Sequence, residues 1–309
     1  MTGFVRAVTG DIDPAHLGRV DYHEHLFQVS PLLPGDDLDD EDLSREEAAQ
    51  LTASGFDAMV DATPLGLGRR PAAIRRIAEA TGLTVVLTTG LHRREHYVDG
   101  HPLLALDVDE LTDAFTSDLL RGAAEPGGER DASVRAGVLK AGLGYWRLDA
   151  VTGRAIEAIG RAHAATGAPV MVHLEHGTAA VEALDALAAE GVAADRVALA
   201  HIDRNPDPGL HAELAARGAF LGYDGPARAR EHPDSMVLAC LLQAAASGAA
   251  NRILLGGDVA RRTRYAAYGG IPGLRYLGDR FVPRLRREGG EDLAHAVLRR
   301  NPAAWLTWR

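Results

Sequence analysis

Asp21-Tyr22-His23-Glu24-His25 ends a short apolar run that begins at Leu17. Read as a strand from Arg19 to His25, it alternates side chains between two faces and sends His23 and His25 to the same one. Two imidazoles on one face at the mouth of a strand make half of a metal site. Later runs close on residues of matching chemistry: Lys140, His173, His201 and Asp258. A histidine that merely satisfies one hydrogen bond in a core sits more often in the middle of a run than at its end. Six such residues at run ends point instead to one shared site.

Working outward, short apolar or β-branched runs alternate with Ala-rich stretches of helical period. The predicted strands are Arg19–His23, Ala58–Ala62, Thr84–Thr89, Gly137–Lys140, Pro169–His173, Val197–His201, Ala219–Asp224 and Arg252–Asp258. The helices predicted between them are Arg45–Ser54, Arg70–Thr81, Glu110–Gly122, Thr152–Thr166, Thr178–Glu190, Gly209–Arg217 and Asp234–Ser247, with Thr178 as a capping residue. A final helical pair covers Leu274–Arg287 and Asp292–Leu298. Eight strands with intervening helices predict an α/β fold, the closed (β/α)8 TIM barrel, over an open doubly wound sheet. The chain of 309 residues shows no internal boundary, so it reads as one barrel domain with residues 1–18 as an N-terminal cap segment. In such barrels the chemistry gathers at the carboxyl ends of the strands, where these six residues fall.

Composition narrows the function. A formal charge of −10 argues against a nucleic-acid partner, whose phosphates demand basic surface. No apolar run is long enough to span a membrane and the first ten residues lack a secretory signal. The one cysteine, Cys240, excludes an internal disulfide and fits a reducing cytoplasm. Of 33 basic residues Lys140 is the only lysine. Imidazoles with a carboxylate suit zinc or another divalent transition metal, with Mn, Co and Fe as the others considered. Lysine, unlike arginine, loses its proton when desolvated, and the neutral amine can take up carbon dioxide as a carbamate able to bridge two cations. Two other stretches carry no such signal: the acidic Asp36 to Asp42 reads as a solvated loop, and Gly66-Leu67-Gly68 is a poor dinucleotide motif. His176 and His211 show no informative spacing.

His23-Glu24-His25 with Leu26, Val138-Leu139-Lys140, Val172-His173, Ala200-His201 and Gly257-Asp258 resemble the binuclear metal-binding set of the phosphotriesterase family, within the amidohydrolase superfamily. The opening Val8-Thr9-Gly10-Asp11-Ile12 with Leu17-Gly18 is similar to that family's start, and the likeness runs from Val8 to Pro302. The resemblance implies that His23, His25 and Asp258 hold the more buried metal, and His173 and His201 the more exposed one. Carboxylated Lys140 and a hydroxide would bridge the pair. Asp258 would then pass the proton to the leaving group. The resemblance also implies a homodimer.

Specificity is expected in the loops after the last strands. Arg228 follows the seventh; Arg261, Arg264 and Tyr265 follow the eighth; and His92 stands where relatives often carry an aromatic hydroxyl. Guanidiniums at a metal mouth suit a small substrate with an anionic tail. The chain looks most like the lactonase branch that includes hydrolases of phosphorylated sugar lactones, where a basic residue on the seventh loop and Arg plus Tyr on the eighth grip phosphate. The alternatives are a phosphotriesterase acting on organophosphates, a superfamily deaminase or amide hydrolase with one metal, and a non-catalytic binding barrel.

Overall fold

The structure, a computed structural model, describes residues 3–309. Eight parallel strands lie side by side in chain order: β1 Val20–Glu24, β2 Ala58–Asp61, β3 Thr84–Leu91, β4 Val138–Leu143, β5 Val170–Leu174, β6 Val197–Ala200, β7 Phe220–Tyr223 and β8 Ile253–Leu255. Helices α1 Glu41–Ala53, α2 Pro71–Thr81, α3 Val108–Leu120, α4 Ala150–Thr166, α5 Ala180–Ala189, α6 Pro208–Ala216 and α7 Asp234–Ala246 return the chain between strands. α8 Val282–His295 and α9 Asn301–Leu306 finish it. The sheet curls until β8 meets β1, which makes the predicted TIM barrel. That last seam carries no regular ladder. Asp258 N–H donates to the His23 carbonyl at 2.9 Å. Carboxylates do the rest: Asp21 Oδ1 accepts Gly257 N–H at 3.3 Å and Glu24 Oε2 accepts Val259 N–H at 3.0 Å.

Alternation within the strands builds two cores. Val20, Tyr22, Ala58, Val60, Val86, Val138, Met171, Ala198, Phe220 and Leu254 fill the barrel interior. Their neighbours Met59, Val85, Leu87, Leu139, Val172, Leu199, Leu221 and Ile253 face outward under the helices. The bottom is plugged by Trp305 of α9, which is wholly buried, stacks edge-on against Tyr22 at 6.3 Å and donates its indole N–H to the Val170 carbonyl at 3.2 Å. The residues expected as an N-terminal cap form a hairpin, Val5–Ala7 with Gly10–Ile12, whose turn residue Val8 donates to the Val85 carbonyl at 2.9 Å. Among the described residues no helix is long and apolar enough to cross a membrane.

Four expectations shift. Lys140 does not close its run: β4 continues to Leu143, so this lysine is held mid-strand by ladders on both sides. Asp36 to Asp42 is not all loop. Asp40 caps α1 by accepting the N–H groups of Asp42 and Leu43, and Glu41 and Asp42 fill the first turn, where the helix dipole favours acids. Thr178 does not cap α5, whose N-cap is Ala179. Its hydroxyl donates to the Glu175 carbonyl at 2.7 Å and accepts Trp146 N–H at 3.1 Å. The final helical pair runs together through π-helical turns at Leu277–Phe281 and Ala296–Arg300, with Gly290 the one break inside α8. By contrast α2 and α4 end as read, on left-handed Gly82 and Gly167.

Gly90 in β3 adopts φ +126°, and a Cβ there would meet the Lys140 carbonyl oxygen at 2.0 Å. Gly90→Ala is therefore expected to destabilise the protein by about 3 kcal/mol or more, through backbone strain and displacement of β4. Gly153→Ala in α4, where nothing lies within 4 Å, should instead stabilise by roughly 0.5–1 kcal/mol through helix propensity. Urea unfolding of the two variants checks both signs.

Candidate metal centre

A strict two-residue period cannot turn both Tyr22 and His23 inward. The register shift between Asp21 and Glu24 resolves this: it re-aims the strand above Tyr22, so that His23 and His25 both line the cavity at the barrel's carboxyl end. His201 faces a similar problem, because Ala198 and Ala200 already point inward. It lies just past β6 with φ +66°, a left-handed turn that swings its ring to the mouth. Asp258, three residues beyond β8, has φ +41°. Each non-glycine in that region costs about 1–3 kcal/mol, and such strain gathers at functional sites.

All six predicted ligands line one cavity of about 330 Å³. His23 Nε2 and His25 Nε2 lie 3.7 and 3.6 Å from Asp258 Oδ1, and one donor atom from each of these residues fits within 4.8 Å of the others. His201 Nε2 lies 2.8 Å from His173 Nδ1. Lys140 is 1 % exposed, with Nζ donating to the Ala62 carbonyl at 2.6 Å.

The outer hydrogen bonds set which nitrogen of each ring is free. His23 Nδ1 donates to Asp224 Oδ2 at 3.1 Å and His201 Nδ1 to Asp224 Oδ1 at 2.6 Å. His173 Nε2 donates to Glu175 Oε2 at 3.0 Å. His25 Nδ1 donates to Thr63 Oγ1 at 2.7 Å, since the threonine hydroxyl hydrogen is given to the Phe27 carbonyl at 2.8 Å. In a neutral imidazole one nitrogen donates and the other accepts. Each ring therefore commits its N–H outward and turns a lone pair into the cavity. Burial keeps three of these rings neutral, pushing His25 down to about 4, His201 down to about 3 and His173 well below the usual range. Two facing lone pairs 2.8 Å apart on His173 and His201 repel unless a cation is shared between them. Burial also pushes the Lys140 ammonium down to about 8, within reach of the neutral amine. On donor chemistry these residues fit a pair of divalent cations.

The carboxylates divide by their partners. Burial works to raise Asp224 and Asp258. N–H donation from His201 and His23 outweighs it at Asp224, and the Arg228 guanidinium does so at Asp258, so both stay well below the carboxylate range. Arg204 Nη2 contacts Asp258 Oδ2 at 2.8 Å, and Arg228 donates to the same carboxylate and to the Asp258 carbonyl. Among the described residues Asp21 and Glu24 receive only backbone N–H groups, apart from a long contact with the Tyr265 hydroxyl, and Asp21 Oδ2 and Glu24 Oε1 have no partner. Burial pushes Asp21 up to about 8 and Glu24 well above the usual range, so they are neutral acids beside ionised ones.

The predicted substrate residues separate. His92 lines the cavity, its ring centroid 4.5 Å from that of His173. Its Nδ1 accepts Arg93 N–H at 2.8 Å, which leaves Nε2–H as the donor. Arg228 and Arg261 also line it, Arg261 at the rim with Nη1 3.6 Å from Asp36 Oδ2. Arg264 lies in an adjoining cavity of about 390 Å³ with Arg228, Arg230 and Thr263. Burial, Arg228 and Arg261 press its pKa to about 10, and among the described residues it has no ion-pair partner. Tyr265 does not reach either cavity. It is wholly buried, with its hydroxyl on the His25 carbonyl, because the 3-10 turn Arg262–Arg264 rotates it into the core. Sequence reading missed Asp224, Thr63, Glu175 and Arg204. Asp224 alone left a trace, being an acid that ends a run as the histidines end theirs. His176, which showed no spacing signal, stands on the cavity rim.

The phosphotriesterase family profile matches residues 3–306, and the chain belongs to that family of binuclear metal-dependent hydrolases. Among its relatives, a phospho-furanose lactonase of Mycoplasmopsis synoviae is 29% identical over 99% of this chain and 92% of its own. The crystal structure of a lactonase from Listeria monocytogenes superposes with a TM-score of 0.91 at 31% identity, covering 99% of each chain. The human N-acetyltaurine hydrolase is 25% identical over 100% of this chain and 99% of its own.

Because Asp21 is neutral up to about pH 8 in the fold but ionises near 3.8 when unfolded, it stabilises the fold fully below pH 3.8, and this contribution is lost as pH rises through about 8. Asp21→Asn keeps the Oδ1 acceptor without an ionisable group. In chelator-treated protein its unfolding free energy is expected to gain on the parent chain progressively between pH 4 and 8, by several kcal/mol in all. A difference that stays constant across those pH values would show that Asp21 is ionised in the fold.

Proposed function

We propose that this protein is a lactonase whose substrates are phosphorylated sugar lactones, working with two zinc ions and a carboxylated Lys140. The observation that carries the reading is the single cavity in which four inward imidazole lone pairs, Asp258 and Lys140 meet under a rim of arginines. His23, His25 and Asp258 would hold one cation and His173 and His201 the other. The nitrogen-rich donor set favours zinc. When bound, such a pair supplies Lewis-acid polarisation of an ester carbonyl and activation of water at neutral pH. Lys140 forms its carbamate from carbon dioxide and the neutral amine with loss of one proton, giving an anion that can be shared by both cations.

The protein's own groups do the rest. Asp258, kept ionised by Arg228 against the effect of burial, is poised to accept the proton of the attacking water and return it to the ring oxygen that leaves. Arg228 and Arg261 are at hand for a phosphate, and Arg264 lies beside them with no ion-pair partner among the described residues. His92 offers an Nε2–H to a substrate oxygen. The names of the phospho-furanose lactonase and lactonase relatives support the reading. An acyl amide with an anionic tail would use the same arginines, and the N-acetyltaurine hydrolase relative makes it the second reading. A cytoplasmic setting fits the single, buried Cys240.

Zinc-reconstituted protein is expected to hydrolyse five-carbon sugar lactones at least about 100-fold better, in kcat/KM, with a phosphate than without, and better than organophosphate triesters or N-acyl amino sulfonates. Arg261→Ala should remove about 10-fold or more of that preference, mainly through KM. Equal rates on both lactones would end the phosphate assignment. Lys140→Met is expected to fall from two metals per chain to fewer than one by elemental analysis. Retention of both would refute the carbamate.

A further inference from the structure

Four outer hydrogen bonds orient the four rings, and three different residues provide them. Thr63 serves His25 alone and Glu175 serves His173 alone. Asp224 serves two rings, and they belong to different cation positions: His23, whose Nε2 faces Asp258, and His201, whose Nε2 faces His173. Oδ1 takes His201 Nδ1, while Oδ2 takes His23 Nδ1, the Tyr22 hydroxyl and, at 3.1 Å, His201 N–H. With about two lone-pair directions on each oxygen, Oδ2 has none to spare for a shifted His23 ring. The side chain is wholly buried, and the two rings are tilted by 33° with centroids 5.0 Å apart. Rotation of either ring must move the carboxylate and thereby disturb the other.

We propose that Asp224 is the positioning residue of the whole centre, a single carboxylate that sets one imidazole of each cation position and so couples the loading of the two. This rests on the two-cation reading above. The coupling is mechanical and is separate from any ligand shared between the cations. It predicts a specific asymmetry among the outer partners. Loss of Thr63 or Glu175 weakens one site, and loss of Asp224 weakens both.

The test has a metal-free and a metal-loaded part. In chelator-treated protein, ¹⁵N-edited NMR of the imidazoles is expected to show His23 and His201 as Nδ1–H tautomers, against the Nε2–H form that free histidine prefers. In Asp224→Asn at least one should revert. Stepwise zinc binding, followed by native mass spectrometry with a competing chelator, should then show both dissociation constants weakened about 10-fold or more in Asp224→Asn. In Thr63→Val or Glu175→Gln only one should change. Nε2–H tautomers in the parent protein would overturn the proposal even if Asp224→Asn fails to fold. So would an Asp224→Asn protein in which one constant moves and the other does not. In either case a parent protein that still binds two zinc ions and opens the lactone leaves the functional reading intact, whereas one that binds a single ion overturns both.

Discussion

The junction between β8 and β1 brings Asp258, in the last quarter of the chain, against His23 and His25, near its start. Among the described residues one main-chain bond, Asp258 N–H to the His23 carbonyl, spans it directly. The curvature that a closed barrel requires leaves the two short strands out of regular register there. Buried carboxylates of Asp21 and Glu24 take the N–H groups that a ladder would have used. The seam and the first cation position are thus built from the same few residues.

Burial then decides the charge state of everything around that seam. Removing a group from water disfavours its charged form, so His25 and His201 become neutral and Lys140 approaches neutrality. Carboxylates face the same penalty with two outcomes. Where imidazoles or guanidiniums lie within hydrogen-bond reach, as at Asp224 and Asp258, the charge is retained; where only backbone N–H groups do, as at Asp21, the proton is. Neutral nitrogen lone pairs beside ionised oxygens are the state in which divalent cations are bound without first displacing protons.

The arginines divide along similar lines. Arg228 and Arg204 are engaged on Asp258, inside the cavity, whereas Arg261 stands at the rim and Arg264 beside it in a space where Arg228, Arg230 and Arg264 share one carboxylate, Glu231. A guanidinium cannot shed its proton to relieve that crowding. An anion arriving at the mouth therefore meets positive charge that the protein itself has only partly neutralised.

Much of this was legible in the residues alone. Short apolar runs alternating with stretches of helical period, and the recurrence of ligand-type residues after those runs, gave the barrel and its six converging side chains, because those features depend on neighbours close in the chain. Sequence did not reveal that Lys140 lies within β4, that Tyr265 turns into the core, or that Asp224, Thr63 and Glu175 fix the rings. Those depend on contacts between strands, on a register shift at Asp21 and Glu24 and on left-handed turns at His201 and Asp258, none of which leaves a local pattern. The sequence determined which groups could bind a cation. The fold determined which nitrogen of each ring faces it, since a tautomer is set by a hydrogen bond to a residue as far as 201 positions away.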